Sequence, residues 1–199
     1  REIPDRSSEI VLWPIPKKQQ LSTEVRYDLA AAPVIRLPEN ASERTRLTAR
    51  ILAERLQGYT GREFTLAGSG AGGIALSLSP GGPPEGYRLT VTAQGVSISG
   101  SDEPGLYYGG VTLLQLLLSR FQPRNTILPG CELEDHPDLP VRVVEMVHPW
   151  TFPGWQLKDV RTMDYLIDWV RKYVADNKQN FLICDLSSLT RYKSQPEMN

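Results

Sequence analysis

The sequence predicts an α+β protein: a small mixed or antiparallel sheet with two helices packed on it, followed by a strand–helix–strand unit. Three observations predict this class. Short segments that alternate apolar and polar residues lie between residues 74 and 99. An almost wholly apolar helical segment follows them at 103–121. Further along, segments at 141–147, 157–174 and 180–184 have the pattern of strand, helix and buried strand, which is the order of a parallel βαβ unit.

The first elements are two strands and a helix. Apolar runs at Glu9–Trp13 and Pro33–Leu37 predict the strands, and apolar residues at helical spacing predict the helix over 41–57. Asn40 is expected to cap its first turn, and Gly58 to follow its last. Asn40 also begins an Asn-Ala-Ser glycosylation sequon, which does not exclude the cap.

A glycine-rich segment at 68–73 is expected to be a plain loop. It lacks the Lys-Ser/Thr of a phosphate-binding loop, and a strand follows it rather than a helix. In the helix predicted at 103–121, Gly109 and Gly110 are expected to allow close backbone approach. The strands predicted in this part of the chain are Glu63–Leu66, Ile74–Leu78, Tyr87–Thr92 and Val96–Ser99.

Composition excludes several classes of function. The 199 residues carry 22 Lys and Arg against 23 Asp and Glu, a net charge of -1 that offers no footprint for nucleic acid or an anionic membrane. No apolar run approaches the roughly 18 residues that a membrane span needs. The chain starts at Arg1 without Met or a signal-peptide core, so we expect a processed or trimmed end.

Cysteine and histidine usage predicts neither a disulfide nor a metal site. Cys131 and Cys184 are expected to be free thiols, with Cys131 in a linker marked by Pro129–Gly130. The two histidines, His136 and His148, could join Cys131 or Glu145 around a metal. Their spacing matches no familiar site, so no metal and no cofactor are expected.

Several motifs resemble β-N-acetylhexosaminidases of glycoside hydrolase family 20. The hairpin, the GLYYG turn at 105–109 and the TLLQLL helix at 112–117 are similar, in this order, to the family's non-catalytic N-terminal domain. The segment EDHPDLPVR at 134–142 and the Lys178–Asn180 segment resemble the start of its catalytic (β/α)8 barrel. The resemblance implies a hexosaminidase-like domain at 1–130 and a truncated barrel start at 131–199.

The resemblance also implies a function. It points to the N-terminal portion of a glycoside hydrolase that acts on N-acetylhexosamine-type glycosides, secreted or periplasmic. The family's catalytic Asp–Glu pair would lie beyond this chain, which is therefore expected to be inactive alone and to meet carbohydrate through a longer protein. The open barrel edge could allow self-association. The alternative is a carbohydrate-binding or interaction module with a diverged hydrolase scaffold.

Arg142 is the residue that carries over from the family's barrel start. The resemblance implies that it contacts a sugar hydroxyl; the alternative is a structural ion pair with Glu145 or Asp135. Val143 stands where the family has glycine, which is a departure from the pattern.

Three more residues are candidates for substrate contact. Trp150 and Trp155 lie in the loop after the first barrel strand, on the face where barrels hold substrate, and either ring could stack on a sugar or pack the loop onto a neighbour. Asp185 lies slightly before the position of the family's usual acidic pair, which Ser187–Ser188 occupy here.

Overall fold

The computed structural model describes residues 10–119, 124–146, 160–184 and 194. The chain forms two compact units that divide between Asp138 and Leu139. The first unit is a mixed α+β domain with one seven-stranded sheet and two α-helices among its described residues. Its strands are β1 Lys18–Asp28, β2 Val34–Arg36, β3 Thr65–Ala67, β4 Ile74–Leu78, β5 Tyr87–Thr92, β6 Gly95–Gly100 and β7 Ile127–Asp135.

The sheet of the first unit combines an antiparallel half with a parallel half. Its strand order is β1-β7-β5-β6-β4-β2-β3. The pairs β1–β7, β7–β5 and β5–β6 are antiparallel, whereas β6–β4, β4–β2 and β2–β3 are parallel. The structure confirms a mixed sheet and the predicted hairpin, whose two strands pair from Tyr87↔Gly100 to Thr92↔Gly95.

The first helix, α1, spans Glu43–Thr60. Ser42 is its N-cap, because the Ser42 hydroxyl accepts a hydrogen bond from the Thr45 backbone N–H at 3.1 Å. The expected caps were therefore wrong: Asn40 precedes the true cap by two residues. Gly58 lies inside the helix, which ends at Gly61 in the left-handed conformation (φ 70°) that glycine adopts without strain.

The second helix, α2, spans Glu103–Leu118 and packs on β5 and β6. Asp102 caps it by accepting from the Gly105 N–H at 2.8 Å. The expectation for Gly109 is confirmed, since a Cβ there would lie 2.5 Å from a methyl carbon of Ile98. Gly110 has no such need, because a Cβ there would make ordinary contacts at 3.9 Å.

The core lies between the sheet and its helices. Leu89 in β5, Ile98 in β6 and Leu113 in α2 are fully buried. Along β5 the alternate residue Arg88 is exposed, so the second face of the sheet is polar. This alternation is what a sheet covered on one face requires.

Two expectations for the edge of this sheet were wrong. Residues 10–13 contain no strand, and the long edge strand is instead β1, a polar segment without a strong apolar pattern. The linker expected at Pro129–Gly130 lies inside β7, so a domain boundary at 130/131 would divide a strand. The pairing of β1 with β7 shifts register between Ser22 and Arg26, opposite these two residues.

The Pro129–Gly130 pair fits into the strand because of that register shift. A Cβ on Gly130 would lie 2.5 Å from the Cβ of Val25, so glycine leaves the room that the bulged strand occupies. Proline and glycine here accommodate a bulge in the neighbouring strand rather than ending β7.

The second unit contains the predicted strand, helix and strand. These are β8 Val143–Met146, α3 Val160–Tyr173 and β9 Phe181–Cys184, with β8 and β9 parallel. A short 3-10 helix, Ala175–Asn177, follows α3. Throughout the described ranges, every helix is too short or too polar to cross a membrane.

Candidate functional site

Of the four residues expected to contact substrate, only Arg142 can be placed. Trp150, Trp155 and Asp185 lie outside the described residues, and their roles stay predictions.

Arg142 lies at the amino-terminal end of β8 and joins the two strands of the second unit. Its Nε donates to the backbone carbonyl of Lys178 and its Nη1 to that of Leu139, both at 2.7 Å. Its own carbonyl accepts from the backbone N–H groups of Asn180 and Phe181, each at 3.1 Å. These bonds organise the start of both strands.

This placement gives Arg142 a structural role that neither sequence-based alternative named. The guanidinium binds backbone carbonyls, whereas the alternatives were a sugar hydroxyl or a carboxylate. Ligands of parallel α/β barrels bind at the carboxyl ends of the strands, and Arg142 stands at the other end. A direct sugar contact by this residue stays a prediction.

A row of polar side chains crosses the open face of the first unit's sheet. The register aligns Ser77, Ser99, Arg88, Glu134 and Lys18 on five successive strands. Arg88 Nη2 lies 2.7 Å from a carboxylate oxygen of Glu134, and Lys18 Nζ lies 3.3 Å from the same oxygen. From Ser99 to Lys18 this row forms the floor of a groove.

The groove, which we call the serine groove, has a volume of about 660 Å³. One wall comes from the turn after β4 and the other from the end of β7 with the residues before β1. It is lined by Lys17, Lys18, Ser79, Pro80, Gly82, Pro83, Gly86, Tyr87, Arg88, Ser99, Gly100, Ser101, Glu134, Asp135 and His136.

Buried hydrogen bonds on the α2 side of the sheet hold the strand ends that border the serine groove. The Tyr87 hydroxyl lies 2.6 Å from the Thr112 hydroxyl and donates to a carboxylate oxygen of Asp135 at 3.2 Å. Burial, followed by the nearby Asp135 carboxylate, raises the pKa of Tyr87 well above its ordinary range, and the Thr112 bond opposes this only in part. Tyr87 is therefore a neutral donor that positions Asp135.

The charged groups at the serine groove are paired with one another. Hydrogen bonds that Lys18 donates to Glu134 and Glu132 raise the pKa of Lys18, and the hydrogen bond that Lys17 donates to Asp138 lowers the pKa of Asp138. Because these groups are exposed, the pairs contribute little to stability. Their main effect is to neutralise the groove locally.

Metal ligands and thiols give no second centre in the described part of the chain. No group of three or more His, Cys, Asp or Glu residues there could hold a metal ion. Cys131 is a free, buried thiol in β7, not in a linker as expected. Burial raises the pKa of the Cys131 thiol to about 11, so the thiol stays neutral and inert at pH 7.

The sequence analysis missed the serine groove, although a signal was present. Serines recur at every second residue in 77–79 and 97–101, which places them on one face of adjacent strands. The register of β4 with β6 joins Ser77 to Ser99. The floor of the site depends on the further pairing of Arg88 with Ser99 and with Glu134, and not on the serine repeat alone.

A mixed sheet with its helices, followed by a parallel strand–helix–strand unit, defines an α+β protein of two units. Comparisons with known proteins identify its family. Residues 9–136 match the family model described as glycosyl hydrolase family 20, domain 2. Because this match spans more than half of the chain, the chain belongs to glycosyl hydrolase family 20.

Similarity to individual members of this family supports the assignment. A β-hexosaminidase of Porphyromonas gingivalis is 43% identical over 58 residues, which cover 27% of this chain and 8% of that protein. The structure of Streptomyces plicatus N-acetyl-β-hexosaminidase in complex with Thio-NAglucal is similar with a TM-score of 0.70 and 29% identity, covering 86% of this chain and 33% of that one.

A more distant structure shares the fold. The exo-β-N-acetylglucosaminidase of Vibrio harveyi, in complex with N-acetylglucosamine, has a TM-score of 0.65 and 20% identity. The match covers 88% of this chain and 25% of the Vibrio chain. This chain thus spans a third or less of the length of these relatives.

Proposed function

We propose that this chain is the N-terminal scaffold portion of a glycoside hydrolase that removes N-acetylhexosamine from glycosides. The observation that carries the proposal is the match of residues 9–136 to domain 2 of the family. The structural relatives are named as β-N-acetylhexosaminidases or β-N-acetylglucosaminidases, and two of them hold N-acetylglucosamine or Thio-NAglucal.

The second unit is proposed to be the start of the catalytic barrel. Similarity to the Streptomyces plicatus enzyme covers 86% of the chain, so it extends past Asp138 into this unit. Parallel β8 and β9 linked by α3 have the strand–helix–strand order from which such barrels are built. The domain assignment is then a hexosaminidase-like domain followed by a barrel start.

The chemistry is proposed to reside in the rest of a longer protein. A closed barrel takes about 250 residues and draws its site from the loops of many strands. In the scheme that the family resemblance implies, the substrate's own acetamido group is the nucleophile and a Glu protonates the leaving oxygen, an exception to the two-carboxylate mechanism. The 199-residue chain would supply scaffold and at most part of the substrate contact.

The test is hydrolysis of chromogenic β-N-acetylglucosaminide and β-N-acetylgalactosaminide by the 199-residue chain and by the longer protein that contains it. We expect the longer protein to be active and this chain to be inert. Robust turnover by the chain alone would overturn the scaffold role. A folded longer protein that is inert on every N-acetylhexosaminide would overturn the substrate class.

The second candidate function is a carbohydrate-binding or interaction module with a diverged scaffold. The observation that favours it is Val143, which stands where the family motif has glycine and is 45% exposed at the start of β8. Val143→Gly in the longer protein separates the two. Gain of hydrolysis in this variant, from an inert parent, would favour the diverged module, whereas an already active parent rejects it.

A further inference from the structure

We propose that the serine groove of the first unit binds a short, neutral oligosaccharide. The groove lies on the open face of the sheet, opposite the face that α2 covers, and all its lining residues belong to the first unit. Its volume of about 660 Å³ lies within the range of small-ligand sites, about 300–1,000 Å³.

The charge pattern of the groove favours a neutral ligand. Lys17 pairs with Asp138, and Lys18 pairs with both Glu132 and Glu134. Arg88 pairs with Glu134. A phosphate or sulfate would have to compete with these carboxylates for each cation, whereas a hydroxyl can donate to the carboxylate and accept from the cation of one pair.

Hydroxyl groups are available where a sugar would lie. Ser99 and Ser101 are half-buried, and within the described residues neither hydroxyl has a protein hydrogen-bond partner. Each hydroxyl both donates and accepts, as sugar hydroxyls do. A ligand with several hydroxyls therefore complements this floor better than a purely apolar one.

Glycines keep the space above Ser101 open. A Cβ on Gly82 would lie 2.4 Å from the Ser101 hydroxyl oxygen, and one on Gly86 would lie 3.0 Å from it. Side chains at either position would crowd that hydroxyl. Pro80 and Pro83 supply apolar ring surface at the same wall, which suits the C–H faces of a sugar ring.

Buried contacts on the α2 side fix the strands that form the groove. Asp135 is held by the neutral Tyr87 hydroxyl, and Tyr87 is anchored to Thr112 of α2. These bonds lie on the α2 side of the sheet and fix the ends of β5 and β7, which carry Arg88 and Glu134 on the groove side. The groove thus offers the paired Glu134 carboxylate and the hydroxyls of Ser99 and Ser101 on strands that are held in place from the other face.

The test is a titration of the 199-residue chain with N,N′,N″,N‴-tetraacetylchitotetraose, followed by backbone-amide NMR. We expect chemical-shift changes at Ser79, Ser99, Ser101 and Asp135, with a Kd of about 1 mM or tighter. Cellotetraose and inorganic phosphate are titrated in parallel. Only the choice of N-acetylated sugar rests on the proposed function.

The decisive variants are Ser99→Leu and Ser97→Leu. Both residues lie on the same face of β6, but only Ser99 lines the serine groove. We expect Ser99→Leu to weaken binding at least about tenfold, which corresponds to about 1.4 kcal/mol, while Ser97→Leu binds as the parent does. An unchanged amide spectrum outside the groove shows that each variant is folded.

The outcomes separate this proposal from the proposed function. Binding of either neutral tetrasaccharide at the groove supports the proposal; binding of cellotetraose alone keeps the groove and removes its link to N-acetylhexosamine. No shift at the groove with either sugar, equal losses in both variants, or salt-sensitive binding of phosphate in preference to sugar would overturn it. Hydrolysis by the longer protein does not enter these readouts.

Discussion

The two units differ in how far they bury the faces of their sheets. In the first unit one face carries a core made from its own residues, between Leu12 and Leu133, and the other face is polar. In the second unit apolar side chains on the strands stay exposed: Val143 by 45%, Phe181 by 54% and Ile183 by 46%. A two-stranded sheet with one helix cannot bury both faces.

The comparison teaches where each unit obtains its stability. The first unit has the features of a self-sufficient domain, because its apolar residues meet each other inside it. The apolar strand face of the second unit is exposed among the described residues, and under the proposed function the rest of the barrel covers it. Self-association through this face stays a prediction.

Core truncation provides the sharpest test of this contrast. Leu89→Ala, at a fully buried position of β5, should destabilise the first unit by about 2–5 kcal/mol, since it removes buried methyl groups and leaves a cavity. Ile183→Ala, at an exposed position of β9, should cost less than about 1 kcal/mol in the second unit. Urea titration with hydrogen exchange, read separately in residues 87–135 and 143–184, measures both.

Comparable losses of unfolding free energy from Leu89→Ala and Ile183→Ala would contradict this contrast between the two units. The second unit would then bury Ile183 in solution, as self-association through this face would do. Repeating the exchange measurement over a range of protein concentrations distinguishes self-association, because only an intermolecular contact becomes more protective as concentration rises.

Substitutions at two adjacent glycines of α2 test how closely this helix approaches the sheet. Gly109→Ala places a Cβ 2.5 Å from Ile98 and 3.3 Å from the Tyr87 ring, and should destabilise the first unit by about 1–3 kcal/mol. Gly110→Ala meets nothing closer than 3.9 Å and should stabilise by about 0.5–1 kcal/mol through helix propensity. Thermal unfolding monitored by circular dichroism shows whether each substitution stabilises or destabilises the first unit. Two changes in the same direction would contradict the packing argument.

Sequence patterns predicted most of the first unit where side-chain period and turn residues agreed. The hairpin strands and α2 were placed closely because alternation and apolar density mark them. β1 was not predicted because its residues are mostly polar and it pairs with β7, about 100 residues later in the chain. Pro129–Gly130 was misread because a bulge in a partner strand leaves no local signal.

The candidate sites also differ in how far local sequence marks them. Arg142 was found because a motif marks it, but its carbonyl contacts with Lys178 and Leu139 depend on the tertiary arrangement of the second unit. The serine groove depends on register between strands, which the sequence of one strand does not specify. Local chemistry was therefore visible in the sequence, whereas the assembly of distant residues was not.

Arg142→Lys should cost less stability than Leu89→Ala or Gly109→Ala and decides between the roles of this residue. Lysine keeps the charge but loses the fork that reaches two carbonyls at once, so the second unit should lose about 1 kcal/mol. Amide exchange at Asn180 and Phe181, which both donate to the Arg142 carbonyl, should accelerate. Arg171→Lys, at an exposed position of α3, is the matched control and should leave exchange unchanged. If Arg142→Lys also leaves it unchanged, the guanidinium is not what joins the strands, and its predicted contact with a sugar becomes the better account of the residue.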